Sequence, residues 1–115
     1  MQVAVELLPT GITIIRLTEG LDMSNVPTFR QTLQAEIERA QHGVILLLSE
    51  VPFIDSSGIA VLIEGLKWSR QRTLPYVLAQ LTPAVQMVIE LARLQNFFTI
   101  ADSLEAATTC IQHDA

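Results

Sequence analysis

The most reactive side chains of this sequence are grouped in one short polar segment, Asp55, Ser56, Ser57 and Gly58. The segment follows an apolar run at positions 44–48 and precedes apolar residues at helical spacing, so we expect it to join a buried strand to a helix. Such a turn exposes hydroxyl groups. Its carboxylate and hydroxyl oxygens can accept hydrogen bonds from the unpaired amides of the first helical turn. By composition alone, helix capping is the favoured interpretation.

Catalytic serines need partner groups that this sequence does not supply. The histidines are His42, beside a glycine in an expected loop, and His113, near the C-terminus, so a Ser-His-Asp triad lacks a convincing base. Residues 54–58 lack the first glycine of a Gly-x-Ser-x-Gly nucleophile elbow. A single cysteine and two distant histidines do not make a metal site, and no glycine-rich phosphate-binding motif occurs. We expect no catalytic residue, no metal and no cofactor.

Composition narrows the class of partner and the compartment. The net charge of −5, with seven basic residues scattered singly, argues against a nucleic-acid-binding surface. Cys110 stands alone and cannot form an internal disulfide, which fits a reducing compartment. The N-terminal segment lacks the basic flank of a signal peptide, and no apolar run approaches the roughly 20 residues that cross a bilayer. We expect a cytoplasmic protein without membrane insertion.

The hydrophobic pattern predicts an α/β fold in a single domain over residues 1–115. Alternating and β-branched residues with a turn between them predict an opening β-hairpin over residues 3–15. Four segments with helical spacing follow, the first with Ser24 as a candidate cap and the third with Thr82. Further strand candidates alternate with these helices at residues 44–48, 76–79 and 97–100. This order predicts a mixed β-sheet covered by about four helices.

The helix after the serine turn offers both a buried face and candidate contact residues. Its predicted sheet-facing residues are Ile59, Leu62, Ile63 and Leu66. Val61 and Trp68 lie seven residues apart and opposite this stripe, so we expect both to be exposed candidates for partner contact. Trp68 could equally pack beneath a neighbouring element. Leu21 and Met23 flank Asp22 at the same predicted end of the sheet and are further contact candidates, although core burial is the alternative for Leu21.

Longer stretches of the sequence resemble the STAS domain. Residues 48–62, which hold the strand end, the polar turn and the following helix, resemble the family signature in order and spacing. Residues 16–22, 82–85 and 97–107 resemble its Leu-Asp step, its Pro-x-Val helix start and its closing strand and helix. The resemblance therefore covers nearly the whole chain and implies a STAS-type sheet. Departures stand at Leu47, Arg72, Thr73 and Arg93, where the family often carries an aspartate, a glycine pair and a glycine.

The closest resemblance is to the anti-sigma-factor antagonist branch of this family. It implies that Ser56 is phosphorylated by an ATP-dependent anti-sigma-factor serine kinase. The unphosphorylated form would bind that kinase and release a sigma factor, and a serine phosphatase would reset the modified form. Asp22 matches a family aspartate near the turn, and Asp55, Ser57 and Gly58 would support the site, with Ser57 left to cap the helix.

Two other functions stay open at this point. A non-switching STAS scaffold could serve as an accessory subunit of a signalling complex or a transporter assembly without phosphate turnover. A nucleotide-binding module could use the exposed turn between strand and helix. The second alternative is weaker, because the sequence lacks a glycine-rich loop.

Overall fold

The chain opens with the predicted hairpin. Strand β1 (Val3–Leu7) runs antiparallel to β2 (Ile12–Leu17), and the turn between them places Gly11 at a φ of +86°, which glycine adopts without steric cost. The computed structural model describes residues 2–114. Its other elements are α1 (Val26–Arg39), β3 (Gly43–Leu47), α2 (Ser56–Gln71), β4 (Tyr76–Ala79), α3 (Pro83–Leu91), β5 (Thr99–Ala101) and α4 (Leu104–Asp114).

The strands form one mixed sheet in the order β1-β2-β3-β4-β5, in which every pair after the hairpin is parallel. The predicted mixed sheet with four helices is therefore confirmed. β3 lies at its centre and is buried along its whole length, which explains why residues 44–48 show no polar alternation. Because the carboxyl ends of parallel strands meet at one edge, the loops that follow β2, β3 and β4 lie at the same end of the sheet.

Helices cover both faces of the sheet unequally. The larger core joins α1, α2 and α3 to one face, with Phe29, Leu62 and Ile89 among its buried side chains. The smaller core lies on the other face, where Ala107 and Ile111 of α4 pack against the sheet. The serine helix α2 belongs to the larger core and also packs along α1. Its buried face must therefore be wider than a single sheet-facing stripe.

Two of the predicted helix caps have different outcomes. Thr82 caps α3 as predicted, since its hydroxyl accepts the Val85 amide at 3.3 Å. The prediction that Ser24 caps α1 is wrong. Asn25 occupies the N-cap position without a side-chain capping bond, while the Ser24 hydroxyl donates to Asp22 Oδ1 at 2.5 Å. This short polar side chain therefore donates to a neighbouring carboxylate instead of accepting a helix amide.

Within the described residues 2–114, three non-glycine residues adopt the left-handed conformation, Thr73, Gln80 and Arg93, with φ of 54°, 56° and 60°. Thr73 and Arg93 follow α2 and α3, where the chain must turn back into the next strand. Glycine adopts this conformation freely, whereas a β-branched residue such as Thr73 is sterically strained in it. Thr73 and Arg93, which stand where the family often carries glycine, therefore keep the left-handed backbone conformation despite their larger side chains.

Candidate functional site

Asp55 organises the start of α2. It is the N-cap residue, and its Oδ1 accepts hydrogen bonds from the Ser57 hydroxyl at 2.6 Å and from the Gly58 amide at 3.0 Å. The Ser57 bond, followed by the Gly58 bond, lowers the pKa of the Asp55 carboxyl below its ordinary value. The prediction that Ser57 caps the helix is wrong, because the carboxylate is the cap and Ser57 is one of its donors.

The two serines of the turn are in different chemical situations. Ser57 is half-buried and its hydroxyl proton is engaged by Asp55. Ser56 is the first residue of α2 and is exposed, and its hydroxyl has no hydrogen-bond partner among residues 2–114. A reaction at Ser56 would therefore leave the capping network in place, whereas a reaction at Ser57 would break it.

The turn is joined to the loop that follows β2. Leu21 forms an isolated parallel bridge with Ile54. Its amide donates to the Phe53 carbonyl at 3.1 Å, and its carbonyl accepts the Asp55 amide at 3.0 Å. The Met23 amide also contributes to the lowered pKa of the Asp55 carboxyl. These bonds connect the two loops, so the position of one constrains the other.

Gly58 packs tightly against both loops. A β-carbon built on Gly58 would lie 2.5 Å from Ile54 Cγ1 and 2.9 Å from Leu21 Cβ. Contacts this short do not occur between real side-chain carbons, so any larger residue would force the bridge or the helix to move. The sequence-predicted supporting role of Gly58 thus has a steric reason.

Asp22 is held beside the turn by its own local network. Its Oδ1 accepts the Ser24 amide at 2.9 Å, and its amide donates to Asn25 Oδ1 at 3.1 Å. The Asn25 side-chain amide in turn donates to the Gly20 carbonyl at 2.6 Å. Asp22 therefore belongs to a fixed loop that is bonded to the serine turn through Leu21 and Met23.

The predicted contact residues divide between surface and core. Met23 is 78% exposed, as a contact residue must be. Leu21 and Val61 are fully buried, so the assignment of their side chains to a partner surface is wrong. Leu21 is enclosed by its bridge to Ile54, and core burial is the alternative that holds for it. Val61 is buried because α2 packs on both the sheet and α1, which rotates its buried face.

The actual buried face of α2 consists of Gly58, Ile59, Val61, Leu62, Gly65, Leu66 and Ser69. Ile63, which the spacing placed in this face, is only half-buried. Trp68 is half-buried too and packs against the larger core, beside Ile37 and other residues of α1. The packing alternative for Trp68 therefore has direct support.

Phe53 is a surface residue that the sequence did not single out. Its side chain is 48% exposed, and its ring lies so close to Gly20 that a β-carbon there would be 2.3 Å away. Phe53 lies in the loop that leads into the serine turn, and Met23 lies in the loop after β2 that is bonded to it. Both side chains present apolar surface to solvent. The sequence pattern could not separate Phe53 from its neighbours, because Val51 and Ile54 are also apolar and both are buried.

Groups for catalysis or metal binding do not gather at this turn. His42 precedes β3, at the other end of the sheet, where its Nδ1 lies 2.6 Å from the Thr10 carbonyl oxygen. Within residues 2–114, no cluster of three or more His, Cys, Asp or Glu side chains could hold a metal ion. In the same range, no helix has the length and apolar character needed to span a bilayer. His113 falls where side chains are outside the described part of the structure.

Comparison with known proteins identifies the family. The model of the STAS domain matches residues 7–107, so the chain belongs to the STAS domain family. Its relatives include BtrV of Bordetella bronchiseptica, whose name assigns it provisionally as an anti-sigma factor antagonist. The two are 28% identical over 102 residues, which cover 89% of this chain and 88% of BtrV.

Two further comparisons agree with this assignment. The anti-sigma F factor antagonist of Paenibacillus polymyxa is 27% identical over 100 residues, which cover 86% of each chain. The structure of the anti-sigma factor antagonist SpoIIAA in its unphosphorylated form superposes with a TM-score of 0.81, at 20% identity and 97% coverage of both chains. Each of these relatives is named as an anti-sigma factor antagonist, and the SpoIIAA superposition agrees with the STAS fold of this chain.

Proposed function

We propose that this protein is an anti-sigma-factor antagonist whose binding to a serine kinase is switched off by phosphorylation of Ser56. The observation that carries the proposal is the difference between the two serine hydroxyls. Ser56 is exposed at the first position of α2 with its hydroxyl unengaged among the described residues, while Ser57 donates to the cap. The names of the relatives and the unphosphorylated form of SpoIIAA support a role of this kind.

A phosphate on Ser56 changes the surface more than the fold. It adds about −1.5 to −2 charges at neutral pH, and the positive end of the α2 helix dipole can partly stabilise it. The bonds of Asp55 to Ser57 and Gly58 do not involve the Ser56 hydroxyl, so they can persist. With Asp55 adjacent and Asp22 on the bonded loop, the phosphate creates a concentrated negative region. A partner fitted to a neutral hydroxyl is repelled by it.

The exposed side chains around Ser56 define the partner surface in this proposal. Met23 and Phe53 are exposed apolar side chains of the two bonded loops, and the kinase would bury them when it reaches Ser56. A serine phosphatase would bind the same region to remove the phosphate. The chain acts as one STAS domain that is itself neither an enzyme nor a nucleic-acid-binding protein. Control of a sigma factor places it in the cytoplasm.

Intact-mass and fragmentation mass spectrometry of the protein from its native cell test the modification. The wild type and Ser57→Ala should each carry a phosphate-sized increment, and Ser56→Ala should lose it. Phosphate found only on Ser57 would overturn the assignment to Ser56. Absence of phosphate under all growth conditions would overturn the switch and leave the non-switching scaffold as the function.

A further inference from the structure

A second site lies at the end of the sheet opposite the serine turn. Four separate segments surround a cavity of about 440 Å³ there: the β1–β2 turn, the loop before β3, the loop between α2 and β4, and the last turns of α4. This volume lies within the range of small-molecule pockets, roughly 300–1,000 Å³. The cavity shares no lining residue with the serine turn, so its occupant and a partner at Ser56 need not compete.

The floor of the cavity is apolar and firmly packed. Ile12, Leu74 and Ile111 line it, and they are 1%, 8% and 2% exposed. The Ile111 side chain lies directly on Gly43, where a β-carbon would be 2.8 Å from Ile111 Cγ2. The floor is therefore held by the smaller core and suits an apolar group of a ligand.

The rim is polar and carries a fixed positive charge. Its polar lining residues are Thr10, Gln41, His42, Arg72, Thr73 and Gln112. Among the described lining residues none is Asp or Glu, in a chain whose net charge is −5. One guanidinium nitrogen of Arg72 donates to the Ile37 carbonyl, which anchors the side chain and leaves its other N–H groups available. The local charge therefore favours an anion, against the trend of the whole molecule.

Two rim residues are fixed in advance of any ligand. The His42 amide donates to the Gly11 carbonyl at 3.0 Å, and its ring packs on Gly11 with Nδ1 on the Thr10 carbonyl oxygen. Because that carbonyl can only accept, Nδ1 carries the proton, and Nε2 of the neutral ring is an acceptor. Thr73 lines the rim in the left-handed conformation at φ +54°, which a β-branched residue adopts only under strain. Strain of this kind clusters at binding sites.

From these features we infer that the cavity binds a small amphipathic organic anion, with its apolar body on Ile12, Leu74 and Ile111 and its anionic group at Arg72. A carboxylate can accept two N–H bonds from a guanidinium, and Thr73 provides a hydroxyl beside it. This site is independent of the proposed phosphorylation at Ser56, and either can be wrong without the other.

Chemical-shift mapping of the wild-type protein with sodium octanoate tests the inference directly. An eight-carbon carboxylate in such an open site should bind with a Kd on the order of 1 mM, so titration to about 10 mM should approach saturation. The amides of residues 10–12, 41–43 and 72–74 should shift together. Octylamine has the same chain and the opposite charge, and it should leave these amides unchanged. Shifts distributed over other surfaces, or equal shifts with octylamine, would overturn the proposal.

Arginine variants separate recognition from general charge. Arg72→Gln should weaken octanoate binding by about tenfold, because a hydrogen bond to a charged group is lost. Arg93→Gln is the matched control, since it removes the same charge from another exposed left-handed turn that does not line the cavity, and its Kd should be unchanged. Equal affinities for wild type and Arg72→Gln would refute the role of Arg72. If Arg72→Gln fails to fold, the wild-type comparison of octanoate with octylamine decides.

Discussion

Replacing Gly58 by alanine tests whether the serine turn is held by contact between two loops. Alanine in place of glycine inside a helix normally stabilises it by about 1 kcal/mol. Here the new methyl would lie 2.5 Å from Ile54 Cγ1 and 2.9 Å from Leu21 Cβ, so it is opposed on two sides by the bridge that joins the loops. Overpacking of this kind costs roughly 1–3 kcal/mol, and the two-sided contact favours the upper half of that range. We therefore expect a net loss of about 1–2 kcal/mol in the free energy of unfolding.

Gly65→Ala provides the matched control on the same helix. A β-carbon at Gly65 would lie 2.5 Å from the hydroxyl of Tyr76, which is fixed in the core by a 3.0 Å hydrogen bond to the Leu62 carbonyl. Both variants should shift the urea midpoint downward with an unchanged m-value. Only Gly58→Ala should also slow phosphorylation by the cognate kinase, because only it displaces the loop beside Ser56. A gain in stability for Gly58→Ala would refute the predicted contact, and equal phosphorylation rates for both variants would refute its link to function.

Three other predictions concern the switch, the cap and the helix phase. Ser56→Asp should weaken kinase binding, measured by titration calorimetry, because it adds a negative charge beside Asp55. Its circular dichroism should match that of the wild type, because aspartate is tolerated at a helix start. An affinity equal to that of the wild type would exclude a charge switch. The Asp55 pKa lies below its ordinary value of 3.8, so its contribution to stability is present above that pH and is lost as the pH falls. The urea-midpoint difference between wild type and Asp55→Asn should therefore shrink below that pH, and a pH-independent difference would contradict the capping bonds. Val61→Ala should lower the free energy of unfolding in urea by about 1–3 kcal/mol, whereas Lys67→Ala, at an exposed position, should change it by at most about 0.5 kcal/mol. An equally small change for Val61→Ala would contradict the burial of Val61.

The secondary-structure elements and their order could be predicted from the hydrophobic pattern alone. The hairpin, the central strand and the serine helix follow from alternation, an unbroken apolar run and helical spacing, all of which depend on residues close together in the chain. The polar turn could be located for the same reason, since β3 and α2 flank it directly. Thr82 was recognisable as a cap because a cap bonds only to amides a few residues ahead of it.

Tertiary packing decided which side chains of the site are available. Val61 is buried because α2 touches α1 as well as the sheet, and Leu21 is buried because its loop pairs with Ile54 across more than thirty residues of chain. The distinction between Ser56 and Ser57 depends on where the Asp55 carboxylate points. The cavity at the end of the sheet opposite the serine turn forms where four segments that are distant in the chain converge. These features depend on contacts between residues that are far apart in the chain or on the orientation of one side chain. The hydrophobic periodicity of the sequence carries no information about either, so they could not be predicted from it.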